Sequence, residues 1–188
     1  VLVLGGCSSH QGHDMKKGMK HDMSAEPMAD HSAHQAMMNK TNYDRSVESY
    51  QIPDLQLINQ DGERVSLGNL LQSDKPVIVN FLYATCTTIC PLLSMGYIDL
   101  QRELGEKSDE VLLISITIDP EHDTPEVLSN YRKKFSGKPG WVLLTGSRLD
   151  IEKSTAAFDT FFADKMDHQP LNFIHLPQQN KWVRLNGM

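Results

Sequence analysis

Apolar residues are missing from a long opening stretch of the chain and then arrive in short, regularly spaced groups. From Ser8 to Asn42 there is no Val, Ile, Leu, Phe, Trp, Tyr or Cys. Such a stretch has little to bury against the entropy cost of ordering and is expected to be a disordered tether. The pattern changes near Tyr43. Leu55-Gln56-Leu57-Ile58 and Arg64-Val65-Ser66-Leu67 alternate apolar and polar positions about Asn59-Gln60-Asp61-Gly62, which predicts an N-terminal β-hairpin. Pro76 to Tyr83 and Val111 to Ile118 are near-continuous β-branched and aromatic runs, as expected of central parallel strands covered on both faces. Between them Leu92, Leu93, Met95, Ile98, Leu100 and Leu104 recur at three- and four-residue steps, giving a helix that crosses one sheet face and completes a β-α-β unit.

Thr124-Pro125-Glu126 sets a capping residue before a first-turn proline and opens a second helix through Val127, Leu128 and Tyr131 towards Phe135. Trp141 to Leu144 reads as a third inner strand. Ser147, with Asp150 three residues on, starts a helix carrying Ile151, Ala157, Phe158, Phe161 and Phe162. Leu171 to Leu176 and Trp182 to Leu185 form an antiparallel hairpin, and no helix follows before Met188, an expectation of truncation at the C-terminus. The class is therefore α/β, with one folded domain over residues 43–188.

Composition narrows the function. The chain has 188 residues, and 18 Lys and Arg face 24 Asp and Glu for a net charge of -6, a balance that argues against a nucleic-acid partner. No run of about 20 apolar residues is present to span a bilayer. The opening Val-Leu-Val-Leu-Gly-Gly-Cys reads as the remnant of a signal peptide over residues 1–6. Leu4-Gly5-Gly6-Cys7-Ser8 resembles the bacterial lipobox, which implies acylation of Cys7 and a lipid anchor in the cell envelope facing the periplasm or the cell exterior.

The tether, residues 7–42 with Cys7 at its head, has its own chemistry. It carries five His (His10, His13, His21, His31, His34) and six Met (Met15, Met19, Met23, Met28, Met37, Met38). Thioether and imidazole are soft-to-borderline donors, better suited to copper than to Mg or Ca, and methionine has little reason to crowd a solvated linker. Weak copper capture is expected there. In the folded domain, Cys86-Thr87-Thr88-Ile89-Cys90-Pro91 lies directly after one strand run and before the first helix. A thiol at such a turn sits beside unpaired backbone N–H groups and the positive end of the helix dipole, which lower its pKa. Two cysteines spaced i, i+4 there can either bond to each other or clamp one soft metal.

Phe81-Leu82-Tyr83-Ala84-Thr85-Cys86-Thr87-Thr88-Ile89-Cys90-Pro91 resembles the CxxxCP signature of the Sco/SenC proteins. Asp119-Pro120-Glu121-His122-Asp123-Thr124-Pro125-Glu126-Val127-Leu128 is similar to that family's DPxxDTPxxL segment, and Asp167-His168 with Pro177 resembles its DH-x8-P element. Gln169-Pro170, Gln178-Gln179-Asn180 and Thr87 depart from the family pattern. The resemblance implies a thioredoxin-like fold, a central mixed sheet flanked by helices, and copper, as Cu(I) or Cu(II), held by Cys86, Cys90 and His168. Asp119 and Asp123 would support those ligands from behind, although Asp123 or Thr124 could equally be a helix cap. His175, in a strand interior, and His122, beside Asp119, are the competing histidines.

Two functions follow. The leading one is a copper metallochaperone that helps load the CuA centre of a haem-copper oxidase, with cytochrome c oxidase subunit II and other copper carriers as partners and the membrane reached by a lipid anchor. The alternative is an enzyme, a thiol-disulfide oxidoreductase using Cys86 and Cys90 as its catalytic redox pair to reduce target cysteines. His168 and the Met/His tract separate the two, since a pure reductase needs neither.

Overall fold

The computed structural model describes residues 43–160, 164–179 and 181–187. Cys7, the Met/His tract, Phe161 and Phe162 lie outside the described residues. Eight strands form one sheet in the order β1-β8-β7-β4-β5-β6-β2-β3. They are β1 (Tyr43–Glu48), β2 (Gln56–Asn59), β3 (Arg64–Ser66), β4 (Val77–Leu82), β5 (Leu112–Thr117), β6 (Trp141–Thr145), β7 (Leu171–Leu176) and β8 (Lys181–Gly187). The helices are α1 (Leu67–Leu71), α2 (Ile89–Leu104), α3 (Pro125–Lys134) and α4 (Arg148–Ala157).

The strands expected to be central are central. β4, β5 and β6 run parallel, joined by crossovers through α2 and α3 as their continuous apolar runs require. β7 adds antiparallel to the outer side of β4, and β8 and then β1 follow antiparallel. The hairpin of β2 and β3 attaches antiparallel to β6. Its turn needs Gly62, at φ 84°, where a side chain would be strained. Asn59 braces the same turn by accepting from the Asp61 and Glu63 backbone N–H groups. The mixed sheet with helices on it is the thioredoxin-like arrangement that the resemblance implies.

Side chains alternate across the pleat, so neighbours on β4 serve different faces. On one face Phe81 meets Phe158 and Phe173 at 5.7 and 6.0 Å between ring centroids, and Tyr50 and Trp182 close the cluster. On the other, Trp141 lies against Tyr97 of α2 and Tyr131 of α3. The indole of Trp141 donates to Ser115 Oγ at 2.9 Å, which donates to Asn80 Oδ1 at 2.7 Å, so the indole N–H, the hydroxyl and the amide oxygen are paired there. Removal of rings such as Phe81 and Trp141 from water contributes about 2–3 kcal/mol each and fixes the sheet that carries the cysteine turn.

Two elements were not expected from the pattern. Leu67, read as the end of a strand, instead begins the short helix α1, because Ser66 caps it by accepting from Asn69 N–H at 2.9 Å. β1 is exposed at every position, so no apolar alternation announced it; it gains its order by pairing with β8 over Tyr43↔Gly187 to Glu48↔Trp182. The described part of the last helix ends at Ala157, with Phe158 as its C-cap.

Candidate functional site

β4 ends at Leu82 and α2 starts at Ile89, so the connection Tyr83–Thr88 delivers Cys86 and Cys90 to the C-terminal end of the central sheet, where such folds open their clefts. Thr88 occupies the N-cap position, yet its hydroxyl makes no capping bond. The sulfur of Cys86 does this work instead, accepting the Cys90 backbone N–H at 3.4 Å while the Thr88 Oγ1 lies 3.7 Å from it. Pro91 falls in the first helical turn, where a missing N–H costs nothing.

The two thiols differ sharply. Burial opposes ionisation of Cys86, but hydrogen bonds from Cys90 and Thr88 outweigh it and bring the thiol down to about 6. Burial pushes the Cys90 thiol far up, helped by the neighbouring Cys86. At neutral pH one sulfur is therefore an anion and the other holds its proton. Both thiols are free.

The third sequence-predicted donor comes from the far end of the chain. A 3-10 turn, Lys165–Asp167, leads into His168 and then β7. Tertiary packing brings His168 Nδ1 to 3.7 Å from Cys90 Sγ and leaves the residue 9% exposed. Burial pulls its pKa down to about 4, against a hydrogen bond with the Phe81 backbone, so the ring is neutral at pH 7. Cys90 touches Cys86 on one side and His168 on the other; among the described residues no three His, Cys, Asp or Glu side chains already form a group that could hold a metal ion.

The acidic pair sits behind this patch. Asp123 Oδ2 accepts from Ala84 N–H at 3.0 Å and from Thr117 Oγ1 at 2.5 Å, which ties the cysteine turn to the end of β5. Burial raises its pKa. Asp119 accepts from Lys165 Nζ at 2.7 Å and pairs with His122 Nδ1 at 2.9 Å. Burial opposes its ionisation, and those two contacts overcome it, holding its pKa below the usual range. The helix after them is capped by Thr124, which accepts from Val127 N–H.

The competing histidines go elsewhere. His175 stacks on Trp182 at 4.7 Å within the β7–β8 ladder, and the side chain of His122 is 69% exposed. Four residues of the patch had no signal of their own in the sequence. Tyr83 places its hydroxyl 3.5 Å from Met166 Sδ, its ring 6.4 Å from that of His168 and 5.5 Å from Lys165 Nζ. Lys165 and Met166 lie in a polar loop whose composition says only that it is exposed; Thr117 looks like one more strand residue. No described helix is long and apolar enough to cross a membrane.

Comparison with known proteins gives a consistent picture. The family model described as SCO1/SenC matches residues 43–179. Among curated proteins the chain is 34% identical over 110 residues to the SCO1 protein homolog of Bacillus subtilis, covering 56% of this chain and 54% of that protein. The chain spans about half the length of the curated relatives it matches. Among solved structures, Bradyrhizobium japonicum ScoI with copper bound superposes with a TM-score of 0.58 at 28% identity, covering 68% of this chain and 84% of that one. BsSco, described as having a disulfide switch and as a member of the Sco family of cytochrome c oxidase assembly proteins, gives 0.63 at 28% identity, over 76% and 86%. A SCO1/SenC family lipoprotein from Bacillus anthracis gives 0.63 at 26% identity, over 74% and 84%.

Proposed function

The chain belongs to the SCO1/SenC family, and from that premise we propose that it is a copper metallochaperone whose cargo is held by Cys86, Cys90 and His168 and passed on in the assembly of a cytochrome c oxidase. The observation that carries the reading is the gathering of His168 against Cys90, across 78 positions of sequence, beside a Cys86 already poised as a thiolate. Two thiolates suit Cu(I), and an imidazole extends the set to Cu(II), so one site can follow its cargo through either oxidation state. Cys86 offers the first donor without giving up a proton at pH 7. Cys90 must release its proton as it ligates, which makes uptake proton-coupled and tighter at higher pH. His168, buried neutral, contributes its lone pair with no proton to lose.

The copper-bound relatives and the cytochrome c oxidase assembly role of BsSco favour this reading. The thiol-disulfide oxidoreductase alternative gains no comparable support. The lipoprotein relative agrees with an anchor at Cys7 and a place in the cell envelope. The Met/His residues between positions 10 and 38 fit a weak copper store that feeds the thiol site by ligand exchange, made intramolecular by the shared chain.

Anaerobic copper titration of the reduced protein, followed by the thiolate-to-copper charge-transfer absorption, tests the site. The expected result is one strongly held copper. His168→Ala should spare Cu(I) binding and lose the Cu(II) spectrum; an unchanged Cu(II) spectrum in that variant removes His168 from the site.

A further inference from the structure

The cysteine turn and the histidine loop belong to distant parts of the chain, yet an unbroken set of contacts joins them. Ala84, two residues before Cys86, donates its N–H to Asp123. The same carboxylate oxygen accepts from Thr117 Oγ1, which in turn accepts the N–H of Asp119 at 3.0 Å. Asp119, only 5% exposed, receives Lys165 Nζ at 2.7 Å. Lys165 also lies over the Tyr83 ring, whose hydroxyl reaches Met166 on the same loop. The Lys165 carbonyl accepts the His168 N–H at 3.4 Å. Lys165 is thus where this network enters the loop that carries the imidazole, clamped between a buried anion and an aromatic face.

We propose that Lys165 is a positioning residue that sets which oxidation state of copper the site retains, by holding the His168 loop against Cys90 through Asp119 and Tyr83. The inference rests on the reading that Cys86, Cys90 and His168 hold copper. A dithiolate alone satisfies Cu(I), whereas Cu(II) needs the nitrogen donor in place. A residue that fixes only the nitrogen therefore acts on one oxidation state and spares the other. Partners that orient a ligand without touching the metal typically change affinity about 10- to 100-fold on removal.

The test compares Lys165→Met, which keeps an unbranched side chain of similar length and removes the charge, with Lys165→Arg, which can still pair with Asp119 and stack on the ring. Cu(I) affinity is read by competition with a chelator, Cu(II) by its charge-transfer band and the nitrogen hyperfine pattern in its electron paramagnetic resonance. Lys165→Met should weaken Cu(II) at least tenfold, leave Cu(I) within about twofold and diminish the nitrogen pattern, and Lys165→Arg should restore all three. Asp119→Asn, which removes the other half of the pair, should shift Cu(II) the same way. In the copper-free reduced protein, amide hydrogen exchange over residues 164–170 should speed up in Lys165→Met and return in Lys165→Arg. Wild-type protein that holds copper while Lys165→Met keeps its Cu(II) affinity and spectrum overturns the positioning role alone. Wild-type protein that takes no copper through Cys86 and Cys90 overturns the function and this inference together.

Discussion

The turn that bears the cysteines and the loop that bears the histidine contribute to one patch on unequal supports. The cysteine turn is fastened at both ends by elements that would form anyway: a buried parallel strand before it and a 16-residue helix after it, with the Cys86 sulfur serving as the cap of that helix. The histidine loop has a single 3-10 turn and depends on side chains reaching across to it, Lys165 to Asp119 and Tyr83 to Met166. One half of the site is local and rigid, and the other is tertiary and adjustable. Chemistry that resides in the thiols should therefore be all or none, while chemistry that needs the imidazole should be graded.

The largest expected effect breaks the rigid half. Cys86→Ser or Cys90→Ser should abolish the thiolate-to-copper absorption altogether, measured in the same titration. A serine hydroxyl at position 86 can still accept from the Cys90 N–H, so the circular dichroism of the helix should survive and the loss can be assigned to the ligand. Oxidation in air comes next: Cys86 and Cys90 should join as a disulfide that blocks copper uptake, because a sulfur in an S–S bond is no longer an anionic donor. Mass spectrometry after alkylation reads this directly, and two freely alkylated thiols in fully oxidised protein would count against it.

Acidity sharpens the comparison. Cys86 should react with iodoacetamide along a titration centred at about 6, while Cys90 stays slow up to far higher pH. The histidine half answers through stability. Between about 4 and the ordinary 6.5 the unfolded chain binds a proton at His168 that the folded chain refuses, so stability rises with pH across that window and is lost as pH falls through it. The full effect is about 3 kcal/mol, visible in urea unfolding of copper-free protein, and His168→Asn should flatten this part of the profile. The smallest effect is a control away from both halves. Ser147 caps α4 by accepting from Asp150 N–H at 3.2 Å, so Ser147→Ala should cost about 1 kcal/mol of stability and leave copper binding unchanged.

The same division explains what could be read before the structure was known. β4, β5, α2 and the turn between β4 and α2 were legible because each is set by residues adjacent in sequence: continuous apolar runs, a helical repeat, cysteines at the junction. The hairpin of β2 and β3 was legible from Asp61-Gly62. β1 was not, since none of its residues is buried and its only reason to be a strand is β8, more than 130 positions away. At the site, Cys86 and Cys90 could be argued from position alone, whereas His168 needed the motif resemblance. Lys165 could not be found at all. Its importance lies in a 2.7 Å contact with Asp119, 46 positions earlier, and the order of residues around it encodes no such pairing.

The sheet order also imposes a calendar on the molecule. β4 waits between β5 and β7, and β7 belongs to the last part of the chain. A ribosome moving at ~5–20 residues per second sets the 78 positions between Cys90 and His168 at ~4–16 s of synthesis. For that interval each newborn chain owns both thiols and lacks His168. The pair can meet an oxidant, or a stray metal, while the third donor is still unmade, and the β7–β8 hairpin brings the histidine as it joins β4. Arrival of His168 and pairing of β7 with β4 are thus one event, timed by synthesis of the β7–β8 hairpin.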